Sequence, residues 1–407
     1  MFNIKKKKCI SNCIGKKSDE CIGYCKFTLN DKNEYCSLSK KYMMNKNDSC
    51  NIIKRTKKHI LSNKTKYKKT IKSYRPSIDK YLIKTRNSSK YNIFDGILSC
   101  NNIQIIDDKI LKRVLDPKIR LSNNKCVNYN HRDSINLFLD NLSKYKKIEP
   151  YVLIGPKQSL YNCWFNTGFI INYISDRGRI FNKYIRQYMI TGEVPGLKKF
   201  KPRLHRTLFL YNIAIEATIE GSVIATQMNT NDIIKRIYND IPKKYREENK
   251  FFINVKEMGH PFQYQKALLN YIHINGYKDC YVDGNDIFEE YEKNNYFLNN
   301  DKKDTLWVQI LDKNSRHIKN RKRYLIDNYG NKFVLDSALV RDTHKTHFCC
   351  FITLNNEEYV YDGVMTPSIK KIEWKNDNIL NKKNNIKLDK KIWDFMNGYQ
   401  VLVYYRI

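Results

Sequence analysis

The sequence predicts an α+β protein, because segments with a helical period come first and a run of strands comes last. Apolar residues follow the helical period from Trp164 to Tyr188, with a break at residues 176–178. The C-terminal third instead contains short runs rich in β-branched and aromatic residues, which are typical of strands. The 407 residues suffice for one large domain or two smaller ones, and no internal repeat is visible.

Hydropathy argues against a membrane protein or a secreted one. The mean hydropathy is −0.65, and no apolar run approaches the roughly 18 to 20 residues that a membrane span needs. Lysines near the N-terminus are not followed by the apolar stretch of a secretory signal. The twelve cysteines are therefore expected in a reducing intracellular compartment, as free thiols, metal ligands or a nucleophile.

Residues 1–50 form a Cys-rich segment with two C-x3-C pairs. Each pair can bend around one ion, so the pattern predicts a small structural zinc module. Its predicted ligands are Cys9, Cys13, Cys21 and Cys25. Disordered free thiols and disulfides remain alternatives.

Positive charge is concentrated at the front of the chain. The net charge is +34 overall, and residues 1–100 carry 25 Lys and Arg against 7 Asp and Glu. Residues 51–92 contain one acidic residue, Asp79, and no period long enough for a core. We therefore predict a disordered basic linker over residues 51–94. The alternative is an arm that binds nucleic acid or an anionic surface through residues 51–92.

The rest of the chain is predicted to be globular, with a lead-in over residues 95–149 and the main domain over residues 150–407. Helices or short strands are expected at 102–116 and 134–145, strands or a buried helix at 206–227, and helices at 230–241 and 260–274. Strands are expected at 306–311, 323–328, 332–341, 347–354, 357–363 and 398–407. The turn "LNNEE" predicts that two of these strands form a hairpin.

A cysteine at the start of a helix is the first candidate for chemistry. In "GPKQSLYNCWFNTGF", Cys163 follows a polar loop and opens the helical run. A thiol at a helix N-terminus lies at the positive end of the macrodipole, which favours the thiolate. Such a nucleophile needs a base and a group that orients the base.

The predicted hairpin supplies both groups. His347 begins the strand "HFCCFITL", and Asp362 ends the returning strand "EEYVYDG" fifteen residues later. Because a hairpin brings these two ends together, His347 can act as base and Asp362 as its orienter. Gln158, five residues before Cys163, is the candidate oxyanion donor, and Asn162 is a second one. The other seven histidines show no comparable pattern.

Further cysteines have plainer interpretations. Cys349 and Cys350 are neighbours on one predicted strand, so their side chains should face opposite ways and pack as small apolar groups. Cys126 and Cys280 show no partner pattern.

Three stretches resemble the ubiquitin-specific proteases, a papain-like group. "QSLYNCWFNTGF" is similar to their cysteine box, in which an amide residue precedes the nucleophile by five positions. "HFCCFITLNNEEYVYDG" is similar to their histidine box, and "GYQVLVYYRI" to their last strand. The resemblance covers about residues 150–407, and its motif style is that of proteins from large DNA viruses.

The resemblance implies a papain-like fold, with the nucleophile helix packed on a C-terminal antiparallel sheet. It implies a deubiquitinase-like cysteine peptidase that needs no cofactor for catalysis and acts in the host cytoplasm or virion. Cys163 would be the nucleophile, His347 the base, Asp362 the orienter and Gln158 the oxyanion donor. The substrate would be ubiquitin, a ubiquitin-like protein or a viral precursor.

The chain departs from the family at several positions. Gln158 stands where Asn is usual, Thr346 where Gly normally precedes the histidine, and Gly363 where a second Asp is common. No paired C-x2-C motifs lie between Cys163 and His347, so a zinc-bearing fingers subdomain is not expected.

Two other classes of function compete with the enzyme. One is a catalytically silent module with this fold that binds ubiquitin or another protein. The other is a basic nucleic-acid-binding protein whose cysteines are structural. A covalent adduct at Cys163 would separate the enzyme from both.

Overall fold

A computed structural model describes the chain in separate stretches. They are residues 25–30, 33–38, 42–44, 52–54, 97, 99, 100, 117–144, 147–197, 199–222, 225, 229–255, 257–274, 277–282, 304–318, 321–326, 330–344, 347–365, 368–388 and 391–407. The described stretches between residues 25 and 54, and residues 277–282, are described by their backbone only. The chain divides into a unit of residues 1–75 and a unit of residues 76–407.

The described part of the first unit forms two antiparallel strand pairs. Strands β1 (Cys25–Asn30) and β2 (Asn33–Leu38) form one, and β3 (Tyr42–Met44) and β4 (Ile52–Lys54) form the other. The zinc prediction falls almost wholly outside the described residues, since only the backbone of Cys25 is described. The same is true of most of the basic linker and of the element expected at 102–116.

Helices dominate the first half of the second unit, after a small pair of strands, β5 (Lys118–Arg120) and β6 (Cys126–Asn128). They are α1 (Arg132–Ser143), α2 (Cys163–Tyr173), α3 (Asp176–Phe181), α4 (Lys183–Thr191), α5 (Pro202–Ile219), α6 (Thr230–Asp240), α7 (Lys243–Glu248) and α8 (Pro261–Tyr271). The helices expected at 230–241 and 260–274 are thereby confirmed, and the segment 134–145, expected as a helix or a short strand, is helical.

The segment expected as strands or a buried helix is the helix α5. Fifteen of its 18 residues are buried, so apolar residues face every side and the usual one-sided pattern is missing. A buried ion pair between Arg186 of α4 and Glu216 of α5 joins the two helices.

The second half of this unit is one large sheet. Its strands are β7 (Tyr277–Val282), β8 (Thr305–Ile310), β9 (Tyr324–Ile326), β10 (Lys332–Arg341), β11 (Phe348–Leu354), β12 (Glu357–Tyr361), β13 (Ile369–Lys371) and β16 (Gln400–Arg406). The order is β13-β12-β11-β10-β16-β8-β7, and β9 also pairs with β10. The short helices α9 (Asp312–Ser315) and α10 (Asp377–Leu380) and the pair β14 (Ile386–Leu388) and β15 (Lys391–Trp393) lie in its connections.

The expected α+β layout is confirmed, and so are the six predicted C-terminal strands. The sheet was predicted to be antiparallel, and one pair of strands differs: β7 runs parallel to β8, while the other described pairs are antiparallel. The β11–β12 hairpin turns at Asn355 and Asn356, whose φ angles are 53° and 62°. Asn tolerates this left-handed backbone, which a tight two-residue hairpin turn requires.

Helix α2 is the centre of the packing. Ten of its 11 residues are buried, and it packs against β11 and β10 of the sheet and against α8. The apolar residues around the whole helix thus match contacts on several sides. The resemblance implied that the helix that begins at Cys163 packs on the C-terminal sheet, and the structure confirms this packing. None of the described helices is long and apolar enough to cross a membrane.

Cys126 has a partner that its spacing did not reveal. It forms a disulfide with Cys100, and the two Cα atoms are 5.7 Å apart. The sequence assigned Cys126 no partner, because a pairing across 26 residues depends on tertiary proximity and leaves no local pattern.

Candidate active site

Cys163 is the first residue of α2, and its side chain is largely buried, with the residue 8% exposed. It therefore lies in the first helical turn, where backbone N–H groups have no partner further back in the helix. The positive end of the helix dipole lies at this position.

The hairpin brings His347 and Asp362 together as expected. In its register Cys350 faces Tyr361, so the residues just outside the ladder on both strands lie side by side. His347 Nε2 and Asp362 Oδ1 are 2.7 Å apart, and both side chains are buried. The same carboxylate oxygen accepts from the backbone N–H of Val364 at 3.1 Å, which fixes its orientation.

The imidazole of His347 also meets the thiol of Cys163. Burial lowers the pKa of His347, but hydrogen bonds to Asp362 and to Cys163, together with their charges, outweigh burial and raise the pKa to about 9. Because Nε2 is held by the carboxylate, Nδ1 is the ring nitrogen left for the sulfur. The structure thus places His347 next to Asp362 and within electrostatic reach of Cys163.

The loop before Cys163, residues 154–162 (the nucleophile loop), is tied to the residue after Asp362. The backbone N–H of Gln158 donates to the carbonyl of Gly363 at 2.9 Å, and the hydroxyl of Tyr361 donates to the carbonyl of Pro156. A Cβ at residue 363 would lie 3.1 Å from the Gln158 nitrogen. This close approach is a physical reason for glycine at 363.

Gln158 is therefore brought to the site through its backbone. Its side chain is half-buried, and its carbonyl oxygen has no hydrogen-bond partner within the described part of the chain. The role of its amide as an oxyanion donor stays a prediction.

Asn162 does not fit the second oxyanion role. It is fully buried, its Oδ1 accepts from the backbone N–H of Ser159 at 2.9 Å, and its Nδ2 donates to the hydroxyl of Thr230 at 2.8 Å. Both ends of the amide are thus committed to holding the loop. That hydroxyl donates in turn to Asn166 Oδ1 at 2.6 Å. Sequence reasoning missed this network, because Thr230 is 68 residues from Asn162.

The nucleophile loop also contains a strained residue. Leu160 has a φ of 55°, a left-handed conformation that costs a residue with a Cβ about 1–2 kcal/mol. Its side chain is 65% exposed, so no core contact of its own accounts for the conformation.

Behind His347, a second carboxylate holds the backbone. The N–H of His347 donates to Asp342 Oδ1 at 2.7 Å, and Lys391 Nζ lies 3.3 Å from Asp342 Oδ2. The ring of Trp393 lies against the imidazole, with centroids 5.9 Å apart. Sequence reasoning missed these residues too. The acidic residue five positions before the histidine was the one available signal.

Two cysteines of β11 have no place in this group of residues. Cys349 and Cys350 are fully buried, and burial raises the pKa of both thiols well above the ordinary value. They pack as small apolar groups, as expected. Across the described residues, no group of three His, Cys, Asp or Glu is arranged to hold a metal.

Comparisons with known proteins found distant structural likenesses. No family model matches the sequence, and no curated protein does. Among solved structures, the SAGA DUB module Ubp8/Sgf11/Sus1/Sgf73 bound to monoubiquitin is similar at a TM-score of 0.40 and 10% identity, covering 74% of this chain and 82% of that chain. A yeast SAGA DUB module with a variant Sgf73 is similar at a TM-score of 0.29 and 11% identity, covering 86% of this chain and 98% of that chain. Likenesses this weak establish neither a family nor an activity for this chain.

Proposed function

We propose that the protein is a cysteine-dependent hydrolase of peptide or isopeptide bonds. The observation that carries the proposal is the contact chain from Cys163 through His347 to Asp362, in which the pKa of His347 is raised to about 9. An imidazole that keeps its proton at neutral pH beside a thiol favours a thiolate–imidazolium pair. Such a pair is a nucleophile ready for attack on a carbonyl.

The reaction follows from these roles. The Cys163 thiolate attacks the scissile carbonyl carbon, and the oxyanion that forms lies near the α2 N-terminus and the Gln158 amide. The His347 imidazolium gives its proton to the leaving amine, which departs and leaves a thioester. The imidazole then takes a proton from water, which attacks the thioester and releases the carboxylic acid and Cys163. Asp362 accepts a hydrogen bond from the imidazolium, holds its orientation and stabilises its charge. No cofactor is needed in these steps.

We propose ubiquitin, or a protein of its class, as the substrate, with a viral precursor as the alternative. The support is the resemblance of the cysteine and histidine boxes to those of ubiquitin-specific proteases. The geometry of the three residues fits that resemblance, because each box supplies its expected part of one site.

Covalent capture tests both claims. The protein is incubated with ubiquitin that carries a thiol-reactive electrophile at its C-terminus, and the products are weighed and mapped by peptide digestion. We expect one adduct, located at Cys163, and none on Cys163→Ala. Cys350 is the internal control, since its buried thiol should stay unlabelled.

Alkylation separates the nucleophile from the substrate. Iodoacetamide should label Cys163 at pH 6 if the thiolate–imidazolium pair exists. Labelling by iodoacetamide without capture by ubiquitin would retain the hydrolase and reject ubiquitin. A Cys163 inert to both reagents would overturn the enzyme in favour of a protein-binding module.

Nucleic-acid binding through residues 51–92 and zinc binding by the Cys-rich segment remain separate proposals. Both concern residues that lie almost wholly outside the described part of the chain. A steep salt dependence of binding to DNA or RNA, and zinc in the purified protein, would support them.

A further inference from the structure

Three exposed apolar residues lie close in the chain to residues of the candidate active site. Leu160 and Tyr161 lie in the nucleophile loop, and Val364 lies two residues after Asp362. They are 65%, 54% and 47% exposed. We call Leu160, Tyr161 and Val364 the apolar rim.

The backbone places the members of the rim near one another. The hydrogen bond from Gln158 N–H to the Gly363 carbonyl joins the two loops at 2.9 Å. Leu160 is two residues from one end of this bond, and Val364 is next to the other end. Leu160 is also three residues from Cys163, a chain distance of at most roughly 11 Å. The rim therefore lies within a short chain distance of Cys163, where a substrate of the proposed enzyme must bind.

The strained backbone of Leu160 is imposed from both sides. Ser159 is held by Asn231, whose Nδ2 donates to its carbonyl at 2.9 Å and to its hydroxyl at 2.8 Å. On the other side, the buried amide of Asn162 accepts from the Ser159 N–H and donates to Thr230. The chain must reverse between these two fixed points, so Leu160 is held in the left-handed region with its side chain in solvent.

A turn that served only to connect these points would be better built with glycine. Glycine adopts a positive φ without steric cost, whereas leucine carries that cost and leaves an apolar side chain exposed. Strain that the surrounding structure enforces beside an active site is a sign of a functional role. The leucine side chain is the feature that such a role would use.

We infer that the apolar rim is a specificity-determining contact, which binds an apolar side chain of the polypeptide substrate beside the scissile bond. This inference rests on the proposed function. Burial of Leu160, Tyr161 and Val364 against the substrate removes apolar surface of both partners from water. The buried amides of Asn162 and Asn231 act as positioning groups for Leu160.

Two peptide probes test the rim without relying on ubiquitin. Both end in a glycine-derived electrophile, and they differ by leucine against serine in the residues just before it. We expect the native protein to react with the leucine probe about tenfold or more faster than with the serine probe. Leu160→Gly should lose most of that preference, while Leu160→Met should keep it.

Stability and thiol chemistry provide the controls. Leu160→Gly should unfold at an unchanged or higher temperature, because relief of the strain offsets the greater entropy of the unfolded chain. Its Cys163 should react with iodoacetamide within about twofold of the native rate. Asn124→Gly is the matched control, since Asn124 also has a positive φ (64°) and is exposed elsewhere. It should keep the native preference.

The outcomes that overturn the rim are distinct from those that overturn the enzyme. Equal rates with the two probes, no reaction with either, or an unchanged preference in Leu160→Gly would each reject the rim. If Cys163 still reacts with iodoacetamide at pH 6 in that case, the proposed function stands. If Cys163 is inert to iodoacetamide, both proposals fall.

Discussion

Replacement of Asp362 by Asn should lower the pKa of His347, so that its imidazole is mostly neutral at neutral pH. The substitution keeps the shape of the side chain and removes its charge. In the native protein the pKa of His347 is raised from 6.5 to about 9, which amounts to about 3 kcal/mol in favour of the imidazolium. Burial lowers this pKa, and the first of the raising influences is the hydrogen bond to Asp362. Without the carboxylate, burial should bring the pKa of His347 below about 7.

The sign of the linked stability change follows from the direction of the shift. The folded-state pKa of His347 lies above its unfolded value, so the imidazolium contributes stability that is fully present below pH 6.5. That contribution is lost as the pH rises through about 9. Asp362→Asn should therefore be less stable than the native protein by up to about 3 kcal/mol at pH 6. The difference should shrink or reverse at pH 10.

Two measurements test this prediction. One is NMR of the protein labelled with a nitrogen isotope in its histidines, and the other is urea unfolding at pH 6 and pH 10. The imidazole of His347 should titrate near pH 9 in the native protein and at least about 1.5 pH units lower in the variant. Asp336→Asn is the matched control, because it removes a buried carboxylate of β10 that accepts from the backbone N–H of Arg177. It should leave the titration of His347 unchanged. An identical His347 titration in native protein and Asp362→Asn would refute the argument.

Three other substitutions have expected outcomes. Asp342→Asn weakens the hydrogen bond that holds the His347 backbone, so the free energy of unfolding in urea should fall by about 1–3 kcal/mol. Covalent capture at Cys163 should also slow, and an unchanged rate of capture would show that Asp342 does not position His347. Asp336→Asn should raise the free energy of unfolding at pH 7.5 by at most about 3 kcal/mol, because burial raises the pKa of Asp336 to about 6 and its ionised form costs stability above that pH. A variant less stable than the native protein at pH 7.5 would contradict this. Glu216→Gln leaves Arg186 buried without its carboxylate, so the free energy of unfolding should fall by about 3–5 kcal/mol in the same assay. A decrease below about 1 kcal/mol would show that uncharged oxygen atoms are enough to stabilise the buried Arg186.

Much of the sheet could be predicted because short stretches of sequence are enough to indicate strands and hairpins. Alternation and β-branched content located the C-terminal strands, and the turn at Asn355 and Asn356 located the β11–β12 hairpin. A hairpin relates residues across a short loop, so the pairing of His347 with Asp362 followed from chain geometry alone.

Other features were beyond local reasoning because their partners are distant in sequence. The parallel β7–β8 pair requires a crossover, which no short pattern encodes. The α5 segment was ambiguous because a helix buried on all sides has no polar face to reveal its period. The disulfide of Cys126 joins a cysteine 26 residues away.

The candidate site divides in the same way. The residue types and their order along the chain determined which thiol, imidazole and carboxylate could form a chain of contacts, because each lies at an element end that the local pattern defines. Only the tertiary structure decided how they are held. It committed the Asn162 amide to Thr230 instead of an oxyanion, and it placed Asp342 behind His347. These outcomes depend on which side chains meet in space, and a buried polar group takes whatever partner the fold brings to it.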